Sequence, residues 1–278
     1  SDESIKIAGY LVDTFQYAKV IGSLLKVAPK DYTNLVEDIK RCKETESPGI
    51  FTGEFYDKGI KRLRYLIRVA RIMARKYDIM ITNPPYLGIS NLESQCKNYV
   101  IKHYPDSKTD MFAMFMETDF VKKNGFKAIV NPDSWMFLVS FEKMREKLIA
   151  NDSIVTLIHL GLGAFDATVQ TASFVIRKDI RYLNGHYYRL VKEKDKESSF
   201  LQVKEKPIVF STRSSVSIPG KLIAYWLSPE MLSVLQTAPA LSPVCKPTQG
   251  MATGDNGKFV RYWWEPSFED EYLNSNSR

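Results

Sequence analysis

Apolar side chains recur at helical spacing between residues 63 and 73, which predicts a helix with one buried face. A second stripe lies on the same helix, because Arg64, Arg68, Arg71 and Arg75 follow one another at steps of four, three and four residues. The two stripes together predict an amphipathic helix that packs on one side only.

Beyond this helix, short apolar runs alternate with amphipathic stretches. The run Tyr77–Thr82 ends at Asn-Pro-Pro, which predicts a strand covered on both faces. The other predicted elements, in chain order, are a helix over 112–121 that residues 122–125 end, a strand over 126–130, a helix over 140–149 capped by Ser140, and strands over 154–160 and 172–177. This alternation is typical of the α/β class, with a mostly parallel sheet and helices on both faces.

The alternation stops after residue 183, and seven prolines punctuate the chain beyond residue 205. A run of charged residues over 192–199 predicts a weakly structured connector. We therefore predict a boundary near residue 205, with one domain over residues 1–205 and the beginning of a second over residues 206–278.

The composition, 44% apolar and 26% charged, excludes a mainly disordered chain. Three widely separated cysteines argue against a disulfide scaffold or a cysteine zinc site and favour a reducing compartment. The longest apolar run, over residues 154–165, is shorter than the roughly 20 residues that cross a bilayer. Because the first residues also lack the basic flank of a secretion signal, we predict a cytoplasmic protein without a membrane partner.

The net charge of +7 favours a polyanionic partner if the excess is clustered. Eight basic residues and no acidic residue lie between residues 58 and 76, and they include the arginine stripe. Either these arginines contact DNA phosphates, or they form the solvated outer face of a helix packed on a sheet. The second interpretation is favoured, because helix faces opposite a core are usually charged.

The most specific feature is the tetrad Asn83-Pro84-Pro85-Tyr86 after the first predicted strand. Prolines lock the backbone and lack amide hydrogens, so the tetrad presents mainly acceptors, the side-chain oxygen of Asn83 and the carbonyl oxygen of Pro84. An exocyclic amino group, such as adenine N6 or cytosine N4, is the matching donor. Two acceptors out of the ring plane would localise the amino lone pair towards an electrophile, and Tyr86 offers a stacking face to an extruded base.

The tetrad resembles the catalytic motif of amino-group DNA methyltransferases, in particular the gamma-class N6-adenine enzymes that use S-adenosylmethionine. Three later stretches resemble the helix, the strand and the loop that follow this motif in the family: residues 108–117, 124–135 and 163–171. Three others are most similar to the PglX methyltransferases of BREX phage-defence systems: residues 104–108, 134–137 and 253–256. The resemblance covers most of residues 77–178, and residues 218–264 more loosely.

This resemblance implies methyl transfer to adenine N6 of double-stranded DNA after base flipping, in phage defence or restriction-modification, with other defence-system proteins as partners. It implies that Asn83 and Pro84 hold the amino group and that Tyr86 and Phe165 stack on the base. Asn83 and Phe115 would contact the cofactor, although Phe115 also suits a core position and Phe165 an ordinary loop. The implied fold is the C-terminal half of a Rossmann-like methyltransferase sheet, followed by the start of a target-recognition region.

Family members hold the methionine part of the cofactor with a Gly-rich loop and its ribose with an acidic residue, both before the tetrad. Residues 1–76 supply neither, and Leu160-Gly161-Leu162-Gly163 lies after the tetrad with no following helix. We therefore expect a fragment that contains the base site without most of the cofactor site, and that binds S-adenosylmethionine weakly or not at all.

Two alternatives stay open: the methyltransferase part of a fused restriction endonuclease, and a non-catalytic DNA-binding scaffold with a vestigial tetrad. A magnesium nuclease at Asp106 and Lys108 is disfavoured, because no second carboxylate is identifiable. A nucleotide-binding loop over residues 250–258 lacks the required Ser or Thr. The three histidines share no ligand spacing, so we predict no metal and assign each a structural or surface role.

Overall fold

The computed structural model describes residues 1–45, 53–165 and 168–239, and beyond them 243–245, 254, 256–260 and 262. The chain divides into two compact units, Ser1–Gln236 and Thr237–Arg278. The helices of the described residues are α1 (Asp2–Phe15), α2 (Ala18–Ile21), α3 (Thr33–Thr45), α4 (Gly53–Ala74), α5 (Ser94–His103), α6 (Met111–Glu117), α7 (Glu142–Asn151), α8 (Lys196–Val203), α9 (Pro229–Thr237) and α10 (Asn256–Phe259). The strands are β1 (Tyr77–Thr82), β2 (Val121–Pro132), β3 (Ser153–Gly161), β4 (Thr171–Arg177), β5 (Asn184–Arg189) and β6 (Ile208–Ser211).

The six strands form one mixed sheet in the order β1-β2-β4-β3-β5-β6. Strands β1, β2, β3 and β5 run in one direction, whereas β4 and β6 run in the other. The α/β class is confirmed. The mostly parallel sheet is confirmed by strand direction, since four of the six strands run the same way; three of the five neighbouring pairs are nevertheless antiparallel. The described residues of the loop 162–170 between β3 and β4 form no helix, and a short connection joins antiparallel neighbours rather than parallel ones.

One face of the sheet carries the main core. Helices α6 and α7 and the 3-10 turn Asp133–Met136 pack there on apolar residues of the three central strands, among them Ile129, Phe174 and Leu157. These three side chains share a face because they lie opposite one another in the β2, β4 and β3 ladders. The carboxyl ends of β1, β2 and β3 therefore lie at one edge, beside a closely packed core.

The opposite face is only partly covered. Phe200 of α8 packs edge-on against Tyr188 of β5, with ring centroids 5.1 Å apart. On β1, in contrast, Ile79 is 59% and Ile81 80% exposed, so the prediction that this strand is covered on both faces is wrong for the described residues. Ile79 also lines an apolar cavity of about 850 Å³ that extends to α4. The periodicity of β1 resembles that of a central strand, but β1 is an edge strand in this sheet.

Helices α1, α3 and α4 form a second core in which the predicted apolar stripe of α4 is buried or half-buried. Ile67 and Ala70 are fully inside it, and Leu63 and Leu66 pack against it. All four arginines of the stripe lie on the exposed side of α4. The predicted amphipathic helix is therefore confirmed.

The helix predicted over residues 112–121 is wrong at its end. Helix α6 ends at Glu117, and Val121 already belongs to β2. Residues 122–125 lie inside that strand, where Asn124 has a φ of +62° and its N–H donates to the Lys178 carbonyl at 3.1 Å. Basic residues followed by glycine favour a helix end, and the same residues also suit this irregular start of a strand. Ser140 is likewise not a cap, since it lies in the 3-10 turn Val139–Phe141 before α7.

The boundary near residue 205 stays a prediction, although the sheet continues across it. Strands β5 and β6 lie on either side of it and pair with each other, and the division into two compact units falls after Gln236. Residues 192–199 are not merely a connector, because the Asp195 side chain accepts a hydrogen bond from the Ser198 N–H at 3.0 Å and caps α8. Strand β6 begins directly after Pro207, and its pairing with β5 was not predicted.

Residues 218–226 run back over the main core and are fixed there by Arg145 of α7. This fully buried guanidinium donates to the carbonyls of Trp135, Leu138 and Gly220 at 2.6–3.1 Å. The Ile223 N–H adds a bond of 3.0 Å to the Met136 carbonyl. No helix in the described part of the chain has the length and apolar character to cross a bilayer.

Candidate active site

The tetrad begins immediately after β1, at the edge where strand carboxyl ends commonly bind ligands. In the parallel ladder Thr82 lies opposite Ile129, so the tetrad continues beside the end of β2. Asn83 and Pro85 are exposed, Tyr86 is half-buried and Pro84 is buried. The structure thus presents the amide of Asn83 to solvent and uses Pro84 as part of the packed turn.

The hydroxyl of Tyr86 holds the Asn83 side chain. It donates to Asn83 Oδ1 at 2.9 Å and lies 3.4 Å from the Val130 carbonyl of β2. Burial raises the pKa of Tyr86, so this hydroxyl keeps its proton. An amide oxygen has two lone pairs, and Tyr86 occupies one of them. One acceptor site on Asn83 is left for a ligand, and among the described residues no donor reaches the Pro84 carbonyl.

Asp110 anchors the segment that follows the tetrad. Its Oδ1 accepts the Leu87 N–H at 3.0 Å and the Phe112 N–H at 3.3 Å, and it caps α6. The Met111 N–H in turn donates to the Leu87 carbonyl at 3.0 Å. Burial raises the pKa of Asp110, while these N–H donors lower it. Asp110 was not among the predicted site residues, although an Asp directly before an apolar helix is a recognisable cap signal.

The two aromatic residues of α6 have different surroundings. Phe112 contacts the tetrad, with its ring edge-on to Tyr86 at a centroid distance of 6.4 Å. Phe115 is half-buried and packs against a cluster formed by α2, α5 and the 3-10 turn Gly22–Leu24 that follows α2. This cluster includes Leu24 and Val100. Its role towards a cofactor stays a prediction, because a half-buried aromatic suits both a core and a binding surface.

Phe165 lies in the loop 162–170 after β3 and is 46% exposed. It lines a cavity of about 490 Å³ together with Ile158, Leu190 and Phe200. Within the described residues no contact joins Phe165 to the tetrad, so the structure does not bring the two proposed stacking rings together. Gly161 starts this loop with a φ of +70°, and a Cβ there would lie 2.8 Å from the Val191 Cα, so the position requires glycine.

The arginine stripe is partly engaged inside the chain. Arg71 lies over the Tyr32 ring at 5.8 Å, and Arg75 lies over the Tyr77 ring at 5.7 Å. Such cation–π contacts are typical of the outer face of a packed helix. The geometry therefore favours that interpretation for Arg71 and Arg75, while Arg64 and Arg68 are simply exposed.

A buried polar group near the same edge was not foreseen. His159 Nε2 lies 2.7 Å from Asp133 Oδ2, and His159 Nδ1 lies 3.1 Å from Tyr225 Oη. Asn131, two residues before Asp133, is fully buried, and its amide has no hydrogen-bond partner among the described residues. No sequence pattern predicted these contacts, because the partners of His159 are 26 and 66 residues away along the chain.

The geometry around Asp106 does not support the nuclease alternative. Asp106 forms an ion pair with Lys147 of α7. Across the described ranges, no group of three or more His, Cys, Asp or Glu side chains is arranged to hold a metal ion.

A family model described as the Eco57I restriction-modification methylase matches residues 14–165, which is just over half of the chain. The chain belongs to this family. The matched region contains α4, β1, the tetrad, α6, β2 and β3, and it ends at Phe165.

Two relatives match over 91% of this chain. The adenine-specific methyltransferase PglX of Lacticaseibacillus casei (strain Zhang) is 35% identical, and the adenine-specific methyltransferase BrxX of Escherichia coli O9:H4 (strain HS) is 33% identical. The chain spans only 22% and 21% of these two proteins. The methyltransferase subunit of a type I restriction-modification system from Streptococcus thermophilus is 17% identical, with a TM-score of 0.40 over 53% of this chain and 37% of that one. The family assignment rests on the sequence matches.

Proposed function

We propose that this chain supplies the base-binding part of an enzyme that transfers a methyl group from S-adenosylmethionine to adenine N6 in double-stranded DNA. The observation that carries the proposal is the exposed Asn83 amide at the carboxyl edge of the sheet, held by Tyr86 on a proline-locked turn. Two relatives at 33–35% identity named adenine-specific methyltransferases support the choice of adenine.

The residues of the tetrad act on the amino group of the base. Asn83 Oδ1 and the Pro84 carbonyl each accept one N–H of the amino nitrogen, which draws the nitrogen towards a tetrahedral geometry and localises its lone pair towards the methyl group. Tyr86 keeps Asn83 in place through its hydroxyl and offers the exposed part of its ring to the base. After methyl transfer the nitrogen carries an extra proton, which leaves to solvent at this exposed edge.

S-adenosylmethionine supplies an electrophilic methyl group when bound. Of the residues present, Asn83 offers an exposed amide to the polar part of the cofactor and Phe115 a half-buried aromatic face to its adenine. This donor set fits part of the cofactor. We infer that the 278 residues alone bind S-adenosylmethionine weakly, and calorimetry that shows micromolar binding to the purified chain would contradict this.

Double-stranded DNA is the substrate and phage defence or restriction-modification the setting in this proposal, with other defence-system proteins as partners. It is tested with the full-length protein, S-adenosylmethionine and DNA from a host without adenine methylation. Mass spectrometry of the digested nucleosides is expected to detect N6-methyladenine. Detection of N4-methylcytosine alone, or of no methylated base, would overturn the proposal.

A further inference from the structure

Three buried polar side chains from distant segments meet behind the carboxyl edge of the sheet. Asp133 opens the 3-10 turn after β2, His159 lies near the end of β3, and Tyr225 belongs to residues 218–226. The two hydrogen bonds that join them measure 2.7 and 3.1 Å. We call these three residues the edge network.

For a neutral imidazole, one proton arrangement satisfies the hydrogen-bonding capacity of the edge network. The Asp133 carboxylate only accepts, so the Nε2–H of His159 donates to it. The neutral ring then has an acceptor at Nδ1, which matches the hydroxyl of Tyr225. Burial raises the pKa of Tyr225, so the hydroxyl keeps the proton that it donates. Both ring nitrogens of the histidine are satisfied, which sets its orientation.

Asp133 also connects the edge network to the loop that carries Phe165. Its backbone N–H donates to the carbonyl of Gln170, the last loop residue, at 3.0 Å. The next residue, Thr171, lies opposite both Pro132 of β2 and Gly161 of β3. The two ends of the loop are therefore held close to the edge network, because Pro132 directly precedes Asp133 and Gly161 follows His159 by two residues.

Tyr225 connects the edge network to residues 218–226. This segment is held by Arg145 at Gly220 and by the bond between the Ile223 N–H and the Met136 carbonyl. The Tyr225 ring stacks on Tyr187 of β5 with centroids 4.9 Å apart. A displacement of this segment would move the Tyr225 hydroxyl, and with it His159 and Asp133.

We propose that the edge network is a positioning device that holds the two ends of the loop after β3, and so Phe165, where a flipped base is received. A buried polar network stabilises less than apolar packing of the same volume but specifies one arrangement, which is what a stacking loop needs. The inference rests on the proposed function, since it assigns these residues to the same base site. None of the three touches the reacting atoms in this account.

The test uses the full-length protein and two duplexes: one with adenine at the target position, which gives kcat, and one with 2-aminopurine there, whose fluorescence reports base flipping. The target position is located by sequencing N6-methyladenine in host DNA. Tyr225→Phe removes one hydroxyl, and the matched control Tyr188→Phe removes the hydroxyl that donates to the Lys204 carbonyl at 3.0 Å beside α8. One neutral hydrogen bond contributes a factor of about five to an equilibrium or a rate. Tyr225→Phe is therefore expected to lower kcat about fivefold and to reduce the increase in fluorescence by the same factor. KM for S-adenosylmethionine should not change, and Tyr188→Phe should leave kcat and fluorescence unchanged.

A second pair of variants separates positioning from folding. Asp133→Asn keeps an acceptor for His159 and should retain at least half of kcat, whereas Asp133→Ala should lose as much as Tyr225→Phe. Equal fluorescence in Tyr225→Phe and Tyr188→Phe, or equal losses in the two Asp133 variants, would overturn the inference. If the unmutated protein forms no N6-methyladenine, the proposed function fails, and the inference fails with it. If that protein methylates DNA and Tyr225→Phe does so equally well, only the inference fails.

Discussion

Two neighbouring parts of one sheet edge are built in opposite ways. Behind β2 and β3, Asp133 and His159 are buried and paired, and Arg145 satisfies three carbonyls. At β1, Asn83 is exposed, has one lone pair of its amide oxygen free, and follows a strand whose Ile81 is 80% exposed. The comparison shows where each kind of residue acts: paired polar groups fix the backbone, and an incompletely paired group beside them is available for chemistry.

The largest expected effect concerns the paired region. Arg145→Met would leave the carbonyls of Trp135, Leu138 and Gly220 without their donor, so we expect a loss of about 4 kcal/mol in the free energy of unfolding. Urea denaturation of the chain measures it. Arg213→Met is the matched control, because Arg213 is exposed over the Tyr182 ring and should cost about 0.5 kcal/mol or less. Similar losses in both variants would show that Arg145 does not fix residues 218–226.

The second largest effect concerns Lys127 and is a change of the unfolding free energy with pH. Its buried ammonium donates to the carbonyls of Met116 and Thr118 at 2.9 and 2.6 Å, and burial lowers its pKa from 10.5 to about 8. Above pH 8 the folded state loses this proton while the unfolded state keeps it until about 10.5, so stability should rise with pH across this interval. At about 1.4 kcal/mol per pKa unit, the gain is about 3 kcal/mol.

The measurement is the difference in unfolding free energy between the unmutated chain and Lys127→Met from pH 7 to pH 10.5, since the variant cancels the titration of all other groups. A neutral amine still has two N–H donors for its two carbonyls. If the difference in unfolding free energy stays constant with pH, or if the unmutated chain loses stability relative to the variant as pH rises, the buried position of Lys127 is contradicted.

The third prediction concerns the exposed region. Tyr86→Phe keeps the ring but removes the hydroxyl that holds Asn83 Oδ1, so we expect kcat to fall about fivefold in the full-length protein. Tyr86→Ala should lose more, because base stacking on an aromatic contributes roughly 1 to 3 kcal/mol. Steady-state methylation of DNA compares the two. Full activity of Tyr86→Phe would mean that Asn83 needs no support from this hydroxyl.

The smallest effect is expected on α4. The double variant Arg64→Gln and Arg68→Gln should change DNA affinity less than about twofold, if the stripe is an outer helix face. The dependence of log affinity on log salt decides this, because each lost phosphate contact lowers the slope by about 0.9. A slope lowered by nearly two would instead make this face of α4 part of the DNA-binding surface.

The sequence predicted those parts of the fold that local signals determine. Helix α4 and strands β1, β3 and β4 follow from periodicity, and Asn-Pro-Pro marks the turn after β1. The prediction failed where the same residues suit two structures, as at residues 122–125, or where pairing depends on distant segments, as for β5 and β6 on either side of residue 205. The exposure of Ile79 and Ile81 could not be foreseen, because an apolar strand does not reveal its neighbours.

The candidate site divides in the same way. The tetrad is contiguous in the chain, so its rigid acceptors could be derived from residue chemistry alone. The support from Asp110 carries a local cap signal that could have been recognised. The pairing of His159 with Asp133 and Tyr225 carries no such signal, since sheet registers and residues 218–226 bring the three together. The roles of Phe115 and Phe165 stay predictions.

The most direct test of the central claim is methyl transfer by Asn83→Ala in the full-length protein. Because Asn83 is exposed and lies outside the packed core, its truncation should leave the melting temperature unchanged within about 2 °C. We expect N6-methyladenine formation to fall about a hundredfold or more, since one preorganised acceptor of the amino group is lost. Methylation at a rate close to that of the unmutated protein would contradict it.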